Sequence, residues 1–135
     1  MFGIVDYDPD GLNILLHYRR GPRVTGHDEC LTLPDIKWLG IRSEHLGRDC
    51  RLNEQTPVHG SAKSVLFLSA RDRTLASRML ERSDDSNNVD VRCELQRMLM
   101  LGYKAEIQAA DDNGNLSRWA ETHLMQHILN FGGQA

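Results

Sequence analysis

The sequence has 135 residues, 40% of them hydrophobic and 26% charged, the size and balance of one folding unit around one core. No run approaches the roughly 18 consecutive apolar residues of a membrane span, and Met1-Phe2-Gly3-Ile4-Val5-Asp6 lacks the features of a secretory signal, so an intracellular protein that spans no membrane is expected. A net charge of −3 excludes nucleic-acid binding by bulk positive field, yet the basic residues are nearly all Arg and gather between residues 19 and 51 and between 71 and 82, while acids predominate from 84 onward, a distribution that suits one anion-facing side or a mixed solvated surface.

In chain order, residues 2–5 form a short apolar run ending in acids and read as a strand. Pro9 suits the first turn of a helix, and Leu12, Leu15 and Leu16 share one stripe before a stop at Gly21-Pro22. Ile36, Trp38 and Ile41 mark a second buried strand between Pro34 and Ser43, and residues 47–61 read as a polar loop. The apolar Val65-Leu66-Phe67-Leu68 precedes Ser69-Ala70-Arg71-Asp72, a capping box that should open a helix running to about Arg82. A polar connection follows over 83–88. The next helix, from about Val91 to Leu101, presents Val91, Leu95, Met98, Leu99 and Leu101 as an apolar face, takes Met98 and Met100 as core filler, and ends at Gly102.

Residues 104–110 alternate Ala105, Ile107 and Ala109 with Lys104, Glu106 and Gln108, the pattern of an extended segment, with a helical turn as the alternative over so short a stretch. Asp112-Asn113-Gly114 reads as a turn, and a last helix over 116–130 places Leu116, Trp119, Leu124, Ile128 and Phe131 roughly on one side before Gly132-Gly133. Short strands separated by helices predict an α/β layer structure with at least part of a parallel sheet. Such sheets carry their chemistry beyond the C-terminal ends of strands, where Asp6 and Asp8 fall. Cys30, Cys50 and Cys93 make no disulfide framework, and Cys30 and Cys50 taken with His27 and His45 match no zinc spacing.

The run Val5-Asp6-Tyr7-Asp8-Pro9-Asp10-Gly11 carries most of the functional information. Two carboxylates at i and i+2, where a strand gives way to a loop, can converge on one hard cation, and magnesium takes one or two such ligands while keeping water and phosphate in the rest of its sphere. The same residues also suit a plainer role, with Asp8 capping the helix and Asp6 and Asp10 solvated near its N-terminus; spacing alone leaves the two open. A calcium loop of the EF-hand type fails because His17 stands where a bidentate Glu is needed. An aspartyl-phosphate phosphatase remains as an alternative, with Pro9-Asp10 in place of the small pair such enzymes use.

Several segments together resemble one family, the A subunit of topoisomerase VI and its relatives that make the double-strand breaks of meiosis. They are Gly3-Ile4-Val5-Asp6-Tyr7-Asp8-Pro9-Asp10-Gly11, similar to the family's strand and Asp-x-Asp-Pro-x-Gly motif, and Ile14-Leu15-Leu16-His17-Tyr18-Arg19-Arg20-Gly21. Pro34-Asp35-Ile36-Lys37-Trp38-Leu39-Gly40-Ile41 follows, then Leu68-Ser69-Ala70-Arg71-Asp72-Arg73, Glu94-Leu95-Gln96-Arg97-Met98-Leu99-Met100-Leu101 and Lys104-Ala105-Glu106-Ile107-Gln108, all in the family's order. Pro22 replaces a Ser, Asp90-Val91 stand where a Trp is common, and residues 47–61 have no clear counterpart.

The resemblance implies a C-terminal part of a Toprim domain, a Rossmann-like α/β fold with a mostly parallel sheet flanked by helices, over residues 1–135. An N-terminal winged-helix domain with the nucleophilic tyrosine, and the first part of the Toprim fold with a glutamate as third metal ligand, are expected to lie outside the sequence. Tyr7, Tyr18 and Tyr103 sit in other motifs, and Tyr7 and Tyr18 are expected to pack or hydrogen-bond. The implied activity is that of a type IIB DNA topoisomerase or meiotic DNA-breaking transesterase, an isomerase class, with Mg2+ held by Asp6 and Asp8. Implied partners are DNA, a second protomer and an ATP-hydrolysing B-type subunit, on chromosomes in the nucleus. Arg19, Arg20 and Arg23 are candidate phosphate contacts, a role that competes with opposing the dipole at a helix C-terminus. A non-catalytic DNA-binding or dimerisation module is the second reading.

Overall fold

A computed structural model of the chain describes residues 1–21, 32–46, 65–82, 88–108 and 116–132. Strand β1 (Phe2–Ile4) leads into helix α1 (Pro9–Arg20), which returns the chain to β2 (Lys37–Gly40). Leu12, Leu15 and Leu16 are buried along α1 as their spacing predicts. Because the chain reverses into α1 and again out of it, β2 re-enters the sheet parallel to β1, with Gly3 opposite Trp38. Gly21 ends α1 at φ 76°, and its N–H donates to the carbonyl of His17, a backbone setting that favours glycine.

The second half begins with β3 (Val65–Phe67), followed by α2 (Ala70–Arg82), α3 (Val89–Leu101) and β4 (Tyr103–Ala105). Two helices lie between these strands, so the chain reverses three times and β4 pairs with β3 antiparallel. The expected capping box is present: Ser69 N–H and Oγ–H both donate to Asp72 Oδ2 at 2.9 Å, and Asp72 N–H donates to Ser69 Oγ at 3.1 Å. Helix α3 ends at Gly102 (φ 77°, ψ 15°), whose N–H donates to the carbonyl of Met98, the left-handed stop that glycine allows. The stretch read as extended from 104 divides: Ala105 closes β4, and 107–108 form a helical turn.

The two strand pairs meet at one bridge, where Tyr7 and Ala105 exchange both backbone hydrogen bonds at 2.8 and 2.9 Å. That exchange marks a hydrogen-bonded antiparallel pair, and it carries the backbone of β1 onward to the edge of β4. One core fills the space around it, built from Tyr7, Leu12, Leu15, Ile36, Trp38, Ile41, Leu68, Ala76, Met79, Val91, Leu95 and Met98.

Three sequence expectations about helix faces are corrected. Met100 is exposed, not core filler; it stands two residues, about 200° of helical turn, from the buried Met98. Leu101, expected on the buried face, is exposed at the last position of α3. Ile128 on α4 (Leu116–Gly132) is exposed as well, because the nine residues from Trp119 turn the helix by about 180°. The face of α4 that meets β2 carries rings instead: His45, from a 3-10 turn over Ser43–Leu46, lies 5.1 Å from Trp119 and 4.5 Å from His123 between centroids. Gly40 makes room for this stack, since a Cβ there would meet His45 Nδ1 and the Trp119 ring at 2.9 Å. The expectations for Arg23, His27, Cys30, Cys50, the polar loop over 47–61, the connection over 83–87 and the turn at Asp112-Asn113-Gly114 fall outside the described residues.

Candidate metal centre

The acidic loop lies at the C-terminal end of β1. Tyr7 is fully buried, and its hydroxyl donates to the carbonyl of Glu94 at 3.3 Å. Burial first, and the charge of Glu94 second, push its phenol well above the ordinary value. Extended backbone alternates side chains between its two sides, so with Tyr7 turned into the core, Asp6 and Asp8 share the other side.

Each of these two carboxylates is anchored through one oxygen. Ile107 N–H donates to Asp6 Oδ1 at 2.7 Å, which ties the start of the loop to the turn after β4. Gly11 N–H donates to Asp8 Oδ1, so the helix-capping role of Asp8 is realised, with Pro9 at the first helical position. Among the described residues, Oδ2 of Asp6 and Oδ2 of Asp8 take no hydrogen bond. Gly11 is dictated by this folding-back: a Cβ there would lie 2.5 Å from the Asp6 carbonyl oxygen and 3.0 Å from Asp8 Oδ1. Burial raises the Asp8 carboxyl above its usual range, and the charges of Asp6 and Asp10 raise it further against the opposing pull of the Gly11 N–H and Lys104. A loop that concentrates negative charge and leaves two anchored carboxylates each with a spare oxygen has the donor chemistry for a hard cation. Among the described residues no group of three or more His, Cys, Asp or Glu is arranged to hold a metal ion.

Three residues to which sequence reasoning assigned no part in the site border this loop. Lys104 Nζ lies 2.8 Å from Asp72 Oδ2; that bond raises the Lys104 ammonium, with Asp8 and Asp10 adding to the effect. Asp72 is buried, which alone would raise it, but its bonds to Lys104 and Ser69 win and hold it below the usual carboxylate range. Arg71 Nη2 stands 3.7 Å from Asp10 Oδ1, both largely open to solvent. Only the capping box within this set leaves a local signature; the Lys104 pairing spans the chain from β4 to α2 and has none.

Of the candidate phosphate contacts, Arg19 and Arg20 stand at the end of α1 away from the loop. Arg19 has a side chain 10% exposed, and its fork is committed within the protein: Nη1 and Nη2 donate to Asp90 at 3.0 and 2.9 Å, with Nη1 also on Asn88 Oδ1 at 3.1 Å. A phosphate would have to displace Asp90. Arg20 follows, partly buried, at the end of α1. Tyr18 is exposed on α1 and Cys93 is exposed on α3.

The family described as the A subunit of topoisomerase 6 and Spo11, Toprim domain, matches residues 1–128. The chain is 36% identical over 115 residues to the A3 subunit of DNA topoisomerase 6 from Oryza sativa subsp. indica, covering 84% of this chain and 24% of that protein. It is likewise 36% identical over 115 residues to the A subunit of DNA topoisomerase 6 from Arabidopsis thaliana, covering 84% of this chain and 25% of that one. With meiotic recombination protein SPO11-1 of Arabidopsis thaliana it shares 34% identity over 128 residues, covering 93% of this chain and 32% of the relative. The chain thus spans about a quarter to a third of the length of these relatives. Its match over 1–128, together with an α/β arrangement that brings the Asp-x-Asp loop to the end of β1, makes the chain a member of the family formed by Spo11 and the topoisomerase 6 A subunits, within its Toprim domain.

Proposed function

We propose that this chain is the magnesium-binding part of a DNA-breaking, type IIB topoisomerase-like protein of chromosomes in the nucleus, with Asp6 and Asp8 as the protein ligands. The observation that carries the reading is the pair of carboxylates at the end of β1, each fixed through one oxygen by a backbone N–H and each with its second oxygen uncommitted among the described residues. When bound, magnesium would supply positive charge beside the reacting phosphate of DNA. The Ile107 and Gly11 N–H groups hold the two carboxylates in place, so little reorganisation is needed to receive the ion. Lys104 offsets part of the loop's negative charge.

The reaction inferred for the whole protein is a transesterification in which a tyrosine attacks a DNA phosphodiester and stays attached to the 5′ end. Tyr7 does not serve as that nucleophile, because its hydroxyl is buried against the Glu94 carbonyl and its proton is held tightly. The tyrosine, and a glutamate as third ligand, are assigned to segments outside residues 1–135, including the winged-helix domain, and the tyrosine to the second protomer of a homodimer. An ATP-hydrolysing B-type subunit belongs to the same proposal. In the full-length protein, Asp6→Asn or Asp8→Asn abolishes DNA breaks while the domain stays folded; wild-type break levels in either variant overturn the reading.

A second reading is a DNA-binding or dimerisation module without cleavage. Covalent protein–DNA product from the full-length protein that disappears with Asp6→Asn decides against it. The phosphatase alternative has no support beside the family membership.

A further inference from the structure

Helix α2 carries a strip of arginines that neither packing nor local pairing accounts for. Arg71, Arg78 and Arg82 are all exposed. Their spacing of seven and four residues puts them within about 40° of one another around the helix, over a length of about 16 Å. About 100° around the helix from this strip, α2 buries Asp72, Ala76 and Met79. Among the described residues, Arg78 and Arg82 make no hydrogen bond or ion pair, and Arg71 has only the open contact with Asp10. Glu81 is the one exposed acid of α2, and it lies about 80° from the strip. Asp72, the other acid, is buried and bound to Lys104.

The arrangement has a cost that a merely solvated surface would not select. Like charges at i and i+4, as in Arg78 and Arg82, oppose each other on an isolated helix. Arg71 stands in the first turn, where the helix dipole disfavours a cation; only Arg82, at the other end, is placed favourably. The strip also has a direction, because it starts 3.7 Å from Asp10 in the acidic loop and runs along α2 away from it.

We infer that Arg71, Arg78 and Arg82 form a track for one strand of duplex DNA, carrying the phosphate backbone along α2 and up to the Asp6 and Asp8 site. Over about 16 Å one strand advances by roughly five phosphates, enough to engage all three forks, and guanidinium groups are suited to bidentate contact with phosphate oxygens. The inference rests on the proposed action on DNA and names the surface that delivers it.

The test is binding of a short fluorescent duplex to the 135-residue chain by anisotropy across a series of salt concentrations. Removing one phosphate contact lowers the slope of log K against log salt by about 0.9. Arg78→Gln/Arg82→Gln therefore weakens binding by roughly tenfold and reduces the slope by about 1.8. Arg73→Gln, on the same helix but about 200° from Arg71, changes charge by the same amount per residue and leaves the slope unaltered. Circular dichroism confirms that each variant keeps its helices. An equal fall in slope for Arg73→Gln, an unchanged slope for the double variant, or no duplex binding by the wild-type chain at low salt overturns the track. Asp6→Asn separates the two proposals: it removes any response to added magnesium but leaves the salt slope intact, so the metal site can fail while the track stands, and the reverse.

Discussion

Asp8 has two jobs in this account, and a pair of substitutions pulls them apart. Its Oδ1 caps α1 by accepting from Gly11 N–H, a contact that asparagine reproduces and alanine does not. Loss of the cap therefore costs Asp8→Ala about 1 kcal/mol in metal-free buffer. Asp8→Asn keeps the cap and removes a charge that burial, Asp6 and Asp10 all oppose. A carboxyl whose folded-state value is raised makes folding less favourable at neutral pH than at low pH, so in metal-free buffer Asp8→Asn is as stable as wild type or more so. Magnesium reverses the order. At a concentration 100 times its dissociation constant it stabilises the wild-type chain by about 2.7 kcal/mol, and neither variant receives that gain. Urea unfolding at pH 7.5, with EDTA and with magnesium, measures all six values. If Asp8→Asn loses as much as Asp8→Ala in EDTA, the carboxylate is not under the strain described; if Asp8→Asn keeps the magnesium shift, Asp8 is not a ligand.

Gly11→Ala forces a Cβ to 2.5 Å from the Asp6 carbonyl oxygen, and is expected to cost about 2 kcal/mol in thermal or urea unfolding, from strain and loss of the cap; unaltered stability contradicts the close approach. Arg19→Ala leaves Asp90 without its partly buried bidentate partner and lowers stability by about 2 kcal/mol, and a double-mutant cycle with Asp90→Ala shows a coupling that independent sites lack. Burial, followed by the charges of His123, Arg42 and His127, pushes His45 down to about 4, and burial lowers His123 as well. Since the folded state holds a base below its ordinary value near 6.5, the stabilisation is complete above that value and is lost as pH falls from there toward 4. Unfolding free energies from urea titrations at pH 7.5 and pH 5 should differ by about 2 kcal/mol on this account, and His45→Gln should flatten the difference.

What the sequence revealed divides along the range of the interactions. The strand before Asp6, the stripe of Leu12, Leu15 and Leu16, the stop at Gly21, the Ser69–Asp72 capping box and the end of α3 at Gly102 all depend on neighbours a few residues apart, and all are present as read. The acidic loop was legible as two acids at i and i+2. How they are anchored was not, because Ile107 comes to Asp6 from the far side of the chain through the bridge at Tyr7 and Ala105. Lys104 with Asp72, and Arg19 with Asp90, are pairs of the same kind. The Arg19 pair also changes the meaning of its residue: a basic group at a helix end, read as a phosphate contact or a partner of the dipole, ties α1 to α3 instead. On α4, counting apolar residues placed Trp119 on the inward face but also put the exposed Ile128 there, and it did not reveal that His45 and His123 stack against Trp119.

The most direct test of the site uses manganese as a paramagnetic substitute for magnesium and follows backbone amide signals. Two amides far apart in sequence, Gly11 and Ile107, hydrogen-bond to the two carboxylates, so an ion on the uncommitted oxygens should broaden both signals first, at a small fraction of one equivalent, and neither should respond in Asp6→Asn. Broadening that begins among the acids after residue 84 and leaves Gly11 and Ile107 sharp would contradict the account.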